Sequence, residues 1–348
     1  MEFALSEDQR LLQDSISGFL KDAAPLDVIR KIADGDAEAA AALDAGIAEM
    51  GIAGLHVPEA AGGSGLGLLE ACLVQEALGY AVAPSSFMAA TVAAHLFAQA
   101  GAEFAGGIAT GDMVFGLALT ELVSRRDGAG VMSTGDLLSG RSLLAMVPEG
   151  ATHVLTADGD GVFHVVDDWS AAPMRTIDRT RTFQELVFDG VESRSEVMGD
   201  DGVLAAARLL VAADTLGAAQ AMLDKAVAYA KERKQFGRVI GSFQAVKHMC
   251  AEMAAKLEPA RALVWHAAYA MDTGDPEAFA MANLAKAHLA EVGTFVAKIS
   301  TEVHGGMGFT DLVGLHYWFK RIGVNRQLFG SPEQARQTAA ELQGFVEA

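Results

Sequence analysis

The sequence predicts an α+β protein that is mostly α: a helical domain over residues 1–110, a small β domain over 111–200 and a second helical domain over 201–348. Three observations carry that reading. Apolar residues recur at helical spacing from Ser6 to about Ala109 and again from about Val203 onward. Between those tracts the pattern shortens to strand-like runs bounded by turn residues. Hydrophobic residues make up 51% of the chain but aromatics only 7%, which suits Ala-rich, closely packed helices better than a β-rich core. A chain of 348 residues also exceeds the roughly 100–200 residues of one domain, so two or three units are expected.

Leu11, Leu12, Ile16, Phe19 and Leu20 mark the first helix, with Ser6 and Gln9 forming its capping box. The Gly-rich stretch at 59–67 lacks the Lys-Ser/Thr pair and the preceding strand of a phosphate loop, so it reads as a tight connection between helices. Past Gly111, Met113–Leu119 and Ala151–Ala157 have the length and residue types of strands. Asp158-Gly159-Asp160-Gly161 then turns the chain into Val162–Val166 as a hairpin. A further strand runs near Thr182 to Phe188, before a turn at Asp189-Gly190. Beyond Val203, long helices are broken at Gly237–Gly241, at Thr273–Pro276 and at His304–Thr310, the spacing of a helical bundle.

Lys and Arg number 26 against 45 Asp and Glu, a net charge of −19 that repels nucleic acid and anionic lipid. An anionic ligand needs a local basic site, such as that around Arg233 and Arg238. Cys72 and Cys250 are far apart and suggest neither a disulfide framework nor a metal site. The acidic N-terminus does not read as a signal peptide, and the Leu204–Ala213 tract, interrupted by Arg208, reads as too short to span a bilayer. A cytoplasmic protein without membrane or nucleic-acid partners is expected.

The most informative stretch is Glu232-Arg233-Lys234-Gln235-Phe236-Gly237-Arg238-Val239-Ile240-Gly241-Ser242-Phe243-Gln244, followed some sixty residues on by Glu302-Val303-His304-Gly305-Gly306-Met307-Gly308-Phe309-Thr310. A guanidinium binds a pyrophosphate bidentately, and glycines let backbone approach a long anionic dinucleotide closely. Together, in this order and spacing, the two stretches resemble the flavin signature of the acyl-CoA dehydrogenase family. Met50–Gly67 is similar to that family's N-terminal Gly-rich turn, Glu76-Ala77-Leu78-Gly79 to its Glu-Glu-Leu-Gly, and Lys320-Arg321 follows the second Gly pair at about the family's distance. The resemblance covers nearly the whole chain. It implies a β-barrel or sandwich between an N-terminal helical domain and a C-terminal four-helix bundle, FAD as cofactor, an acyl-CoA thioester as substrate, and a place in fatty acid or steroid catabolism.

By the same resemblance, Arg233, Phe236, Gln244, Glu302, Gly305, Gly306 and Thr120 are the cofactor-binding candidates. Arg233, Phe236, Gln244 and Gly306 would face the adenine and pyrophosphate of a neighbouring subunit's flavin. Thr120-Glu121 resembles the pair at the flavin edge, but Leu122–Arg126 replaces the Pro and Gly-Ser-Asp that normally follow, and Ser142–Met146 lacks the family's Trp-Ile-Thr. Glu302 stands where the family usually has Gln.

Family members take the proton α to the thioester with a carboxylate and pass the β hydride to the flavin. That base must sit within hydrogen-bond reach of the proton in a dry cleft. Laying the motifs over this chain puts Gly330 and Ala207 at the two family positions for the Glu, so no catalytic residue is assigned. Glu333 is the obvious substitute, three residues past Gly330, but Ser331-Pro332-Glu333-Gln334 reads more simply as a helix start. The expectation is therefore a subunit lacking its own Glu, completing a flavin site with a related acyl-CoA dehydrogenase chain in a homo- or hetero-oligomer. An active homo-oligomer using a displaced carboxylate such as Glu333, or a flavin-free assembly or acyl-CoA-binding subunit, are the alternatives.

Overall fold

A computed structural model describes residues 4–100, 104–123, 127–199 and 201–346. The chain opens with helices α1 (Glu7–Ala23), α2 (Leu26–Ala33), α3 (Ala37–Glu49), α4 (Leu68–Ala81), α5 (Phe87–Ala100) and α6 (Ala105–Thr110). Ser6 caps α1 as expected: its Oγ accepts from Gln9 N–H, and Gln9 Oε1 accepts from Ser6 N–H. In the Gly-rich turn before α4, Gly62 and Gly65 take φ of +86° and +63°, conformations that favour glycine. The N-terminus of α4 is already satisfied by protein, since the Asp272 carboxylate accepts from the N–H groups of Leu68 and Leu69.

The strands follow: β1 (Phe115–Ala118), β2 (Gly130–Thr134), β3 (Leu137–Met146), β4 (His153–Ala157), β5 (Val162–Val166), β6 (Ser170–Met174), β7 (Phe183–Glu192) and β8 (Ser195–Met198), with the short helix α7 (Thr120–Val123) between the first two. They make one sheet in the order β6-β7-β3-β1-β4-β5-β8, with β2 on β3. Among the described residues only β1 and β4 pair in parallel. The β4–β5 hairpin is where the sequence puts it. The Asp189-Gly190 turn is not: both residues lie inside β7, where Val191 pairs with Leu138 and Asp189 with Ser139, so Gly190 bulges out at φ +65°. β6 escapes sequence reading because it is an exposed edge strand containing Pro173.

Alternate residues of the strands feed different cores. Leu117, Leu155 and Val165 join the main core with the helices, whereas Ala118, Val154 and Val166 join a second cluster with Val131, Leu138, Leu186 and Phe188. β7 and β5 are four strands apart in the order, about 19 Å in a flat sheet, yet both reach this small cluster. The sheet is therefore strongly curled around it.

After the sheet come α8 (Asp201–Glu232), the hairpin β9 (Lys234–Gln235) and β10 (Arg238–Val239), α9 (Gln244–Thr273), α10 (Ala278–His304), α11 (Leu315–Gln327) and α12 (Pro332–Leu342). Residues Leu204–Ala213 are not the short tract they seem in sequence. They belong to α8, a helix long and apolar enough to cross a membrane, whose apolar window is 94% buried inside the protein. α8 is the central core helix. It crosses α4 where Gly79 meets Asp214 and Gly217 meets Glu76, and a Cβ on either glycine would overlap the opposing carbonyl oxygen.

Near that crossing lies a buried polar network. Asp214 accepts from Arg321 Nη2 at 2.6 Å and Nε at 2.9 Å, from Gln75 Nε2 at 2.8 Å and from Asn325 Nδ2 at 2.6 Å. Asn325 in turn accepts from Arg181, which is paired with Asp178. Burial pushes the Asp214 carboxyl up, but the Arg321 charge and hydrogen bonds, with Arg181 and Asn325, outweigh it and hold the pKa at about 2. The network ties α4, α8 and α11 to the loop between β6 and β7.

Candidate functional site

The residues singled out from the sequence fall at two places. The first is where α8 ends. Phe236 and Gly237 both take positive φ, +51° and +76°, which is the backbone of a two-residue hairpin turn and lets β9 pair with β10. The turn lifts Phe236 to 92% exposure. Its ring meets Phe243 edge-on at 6.1 Å, and the Arg238 guanidinium lies 4.0 Å from the centre of the Phe243 ring. The Arg233 backbone is tied to Tyr229 and Ile240, while its exposed side chain forms no hydrogen bond or ion pair among the described residues. Gln244 opens α9 with its amide 3.4 Å from His248.

Glu302, Gly305 and Gly306 sit at the end of α10, all exposed. Gly305 carries φ +58°, ψ −138° and ends the helix. This end is joined to α8 through His304, whose Nδ1 lies 2.8 Å from Ser300 O and whose ring stacks on Tyr229 at 4.6 Å. Burial lowers its pKa and outweighs the Ser300 hydrogen bond, which raises it, and the ring is packed in place. A free guanidinium, an exposed aromatic ring and bare glycine backbone fit a dinucleotide's pyrophosphate and purine.

The second place is near the start of α8. Thr120 is buried and donates to Leu144 O at 3.4 Å. Glu121 accepts from Ser142 Oγ at 2.5 Å and Leu143 N–H at 2.7 Å, so its carboxylate is spent on β3. Residues 124–126, part of the departure from the family pattern, lie outside the described residues. On the facing side Gln334 of α12 donates to Val123 O at 2.7 Å, closing this corner. A flavin ring would find no free polar side chain among Thr120, Glu121 and Ser142. This half fits the ring poorly.

Here too lie the expected positions of the base. Phe329 and Gly330 carry φ of +57° and +106°, and Ser331 caps α12 with Gln334 in a full capping box. Gly330, one of the expected positions of the base, adopts a glycine-type backbone between the Ser331 cap and the buried Phe329. Gly330 carries no carboxylate, and neither does the fully buried Ala207. Glu333 is exposed, 3.4 Å from Arg326, and hydrogen bonds from its own backbone N–H and from Ser331 hold its carboxyl below the usual range. A base for an α proton would need the opposite environment.

Arg208, which sequence reading treated only as a marker beside Ala207, is only 2% exposed. It donates through Nε to Phe329 O at 2.9 Å and through Nη1 to Asn283 Oδ1 and, at 3.4 Å, to Thr338 Oγ1. The signal was a charge within an otherwise apolar helical run.

The profile of acyl-CoA dehydrogenase N-terminal domains matches residues 6–106, and that of the C-terminal domains matches residues 201–343. The chain belongs to the acyl-CoA dehydrogenase family, flavoprotein oxidoreductases acting on CH–CH donors, whose members generally bind FAD. Among individual relatives, it is 31% identical to the acyl-CoA dehydrogenase IpdE2 of Mycolicibacterium smegmatis over 97% of this chain and 100% of that one. Among solved structures it is similar to the "Tcur3481-Tcur3483 steroid ACAD", at 28% identity, a TM-score of 0.86, and coverage of 97% and 98% of the two chains. The ChsE4-ChsE5 complex from Mycobacterium tuberculosis shares the fold, with a TM-score of 0.86, 24% identity and 99% coverage of both chains.

Proposed function

We propose that this chain is a subunit of an FAD-dependent acyl-CoA dehydrogenase that lacks its own catalytic carboxylate and works beside a related chain that carries one. The observation that carries the reading is the separation of the two candidate half-sites. The basic, aromatic end at Arg233 and Phe236 lies past the end of α8, whereas Thr120, Phe329 and Arg208 gather near its start. From Arg208 to Glu232 the helix runs 24 residues, roughly 36 Å. One bound molecule does not reach both ends within a chain, but subunits packed side by side bring one chain's Arg233 end to a neighbour's flavin.

In this reading FAD, when bound, accepts the β hydride. Arg233 holds its pyrophosphate, Phe236 covers the purine, Gln244, Glu302, Gly305 and Gly306 approach the same dinucleotide, and Thr120 marks the edge of a ring site that this chain no longer furnishes with polar side chains. Relatives whose names carry two chains, the Tcur3481-Tcur3483 protein above all, favour a related partner. The displaced-carboxylate reading is disfavoured by the environment of Glu333.

Steady-state assays of the purified chain over a panel of acyl-CoA thioesters decide between them. General base assistance contributes about 10²–10⁴-fold, so the lone chain is expected to show at most a trace rate, restored by the partner. Robust turnover of the lone chain that disappears in Glu333→Gln would overturn the proposal. A colourless complex with the partner would instead support a flavin-free assembly subunit.

A further inference from the structure

A cavity of about 460 Å³ opens between α3, the start of α5, the end of β3 and the loop between β6 and β7. None of the candidate cofactor residues lines it. Its volume is in the range that holds a small organic molecule. One wall is a strip of α3, where Ala37, Ala41, Ala45 and Ala48 recur at helical spacing and present methyl groups to the space. Ala89 of α5 and Met146 of β3 add further apolar surface.

Arg181 also lines the cavity, and its side chain is only 5% exposed. Its Nε donates to Asp178 Oδ2 at 2.8 Å and its Nη2 to Asn325 Oδ1 at 2.7 Å. Those two nitrogens share one edge of the planar guanidinium, and neither acceptor lines the cavity. Nη1, at the other edge, is buried without a hydrogen-bond partner among the described residues. A buried donor left unmade is a standing cost to the fold, so an acceptor supplied there from outside the protein is favoured.

Charge decides what kind of acceptor fits. Arg181 is already paired with Asp178, and Arg179 with Asp34. Asp36, Asp44 and Glu149 line the cavity too, and none has an ion-pair partner among the described residues. Burial, and then the charge of Glu149, pushes the Asp44 carboxyl up, which shows the two carboxylates facing the same space. The uncompensated charge is therefore negative and repels an anion, while Nη1 needs a lone pair that a cation does not offer.

We propose that this cavity binds a neutral, largely apolar ketone whose carbonyl oxygen accepts from Arg181 Nη1. The α3 alanines and Met146 cover its hydrocarbon part, and the oxygen completes the guanidinium's hydrogen bonds without adding charge. The site does not depend on the acyl-CoA reading, and its test uses no thioester.

Ligand-observed NMR titrations of the full chain compare 1-tetralone and 9-fluorenone with tetralin and fluorene, their parent hydrocarbons, and with 1-naphthoate as an anion of similar size. Each ketone is expected to bind at least ~10-fold more tightly than its hydrocarbon, the scale of one hydrogen bond to a charged group, and more tightly than the carboxylate. Arg181→Met should erase the preference for the ketones. Should Arg181→Met fail to fold, because it leaves Asp178 without its cation, Ala45→Trp fills the cavity from an exposed position on α3 and should abolish ketone binding with the circular dichroism unchanged. Ketones that bind no better than the hydrocarbons, a carboxylate that binds best, or a preference that survives either variant overturns the proposal. Failure of both ketones to bind refutes it as well.

Discussion

Replacing Asp214 by Asn would test whether the buried network, and not helix packing alone, locks the sheet onto the helices. The Asp214 carboxyl is fully buried and its pKa falls from 3.8 to about 2. At about 1.4 kcal/mol per pH unit, that shift corresponds to about 2–3 kcal/mol of pH-dependent stability. The sign follows from the direction. A carboxyl whose folded pKa lies below its unfolded value stabilises fully above about pH 4, and the contribution is lost as pH falls through about 2. The Asn variant keeps the shape but leaves Arg321 buried without its countercharge, so the cost at neutral pH should reach about 3–5 kcal/mol. Urea unfolding followed by circular dichroism at pH 7, and at steps from pH 5 down to pH 2, measures both effects. The unmodified chain should lose stability below pH 4 by a step that Asp214→Asn lacks. Adding Arg321→Met should recover part of the loss by removing the orphaned charge. A variant within 1 kcal/mol of the original at pH 7 would refute the reasoning.

Other perturbations have equally definite outcomes. Burial, with the charges of Arg208 and Arg326, lowers the Lys286 pKa to about 7, so between pH 7 and about 10 the unfolded chain holds a proton that the folded one has released. Stability should therefore rise with pH across that window, and Lys286→Met should flatten the rise in the same urea titrations. Arg233→Ala should weaken flavin retention or subunit assembly by about 1–3 kcal/mol, read from flavin absorbance and sedimentation of the complex; unchanged values would remove Arg233 from the site. Gly217→Ala pushes a methyl into the Glu76 carbonyl and should cost about 1–3 kcal/mol, measurable as a lowered Tm.

Local chemistry was the legible part of this chain. The caps at Ser6 and Ser331 and the β4–β5 turn could be read because each depends on residues within a few positions of one another. The bulge at Gly190 looked like a turn because a glycine with positive φ serves either purpose, and only the pairing of β7 with β3 distinguishes them. The β9–β10 hairpin was hidden for a different reason: its first turn residue is Phe236, and bulky residues at positive φ are uncommon enough to give no signal.

Long-range features were illegible in principle. Asp214 and Arg321 are 107 residues apart, and the close approach of Gly79 to α8 shows in sequence only as one more glycine. The candidate site was half readable. Arg233 and Phe236 lie in a compact motif, whereas the positive φ of Phe329 and Gly330, at the expected position of the base, shows only in the backbone. Arg208 was in plain view as a charge in an apolar run, but its hydrogen-bond partners come from α10, α12 and the turn between α11 and α12.

The length of α8 has a consequence for how such a protein can change over generations. A single rigid rod carries the two candidate half-sites at its opposite ends, and each end is built mostly from side chains that the other never touches. A change at one end need not disturb the other. A duplicated gene could therefore shed its chemistry and keep its grip on a neighbour, dividing between two chains a task that began in one.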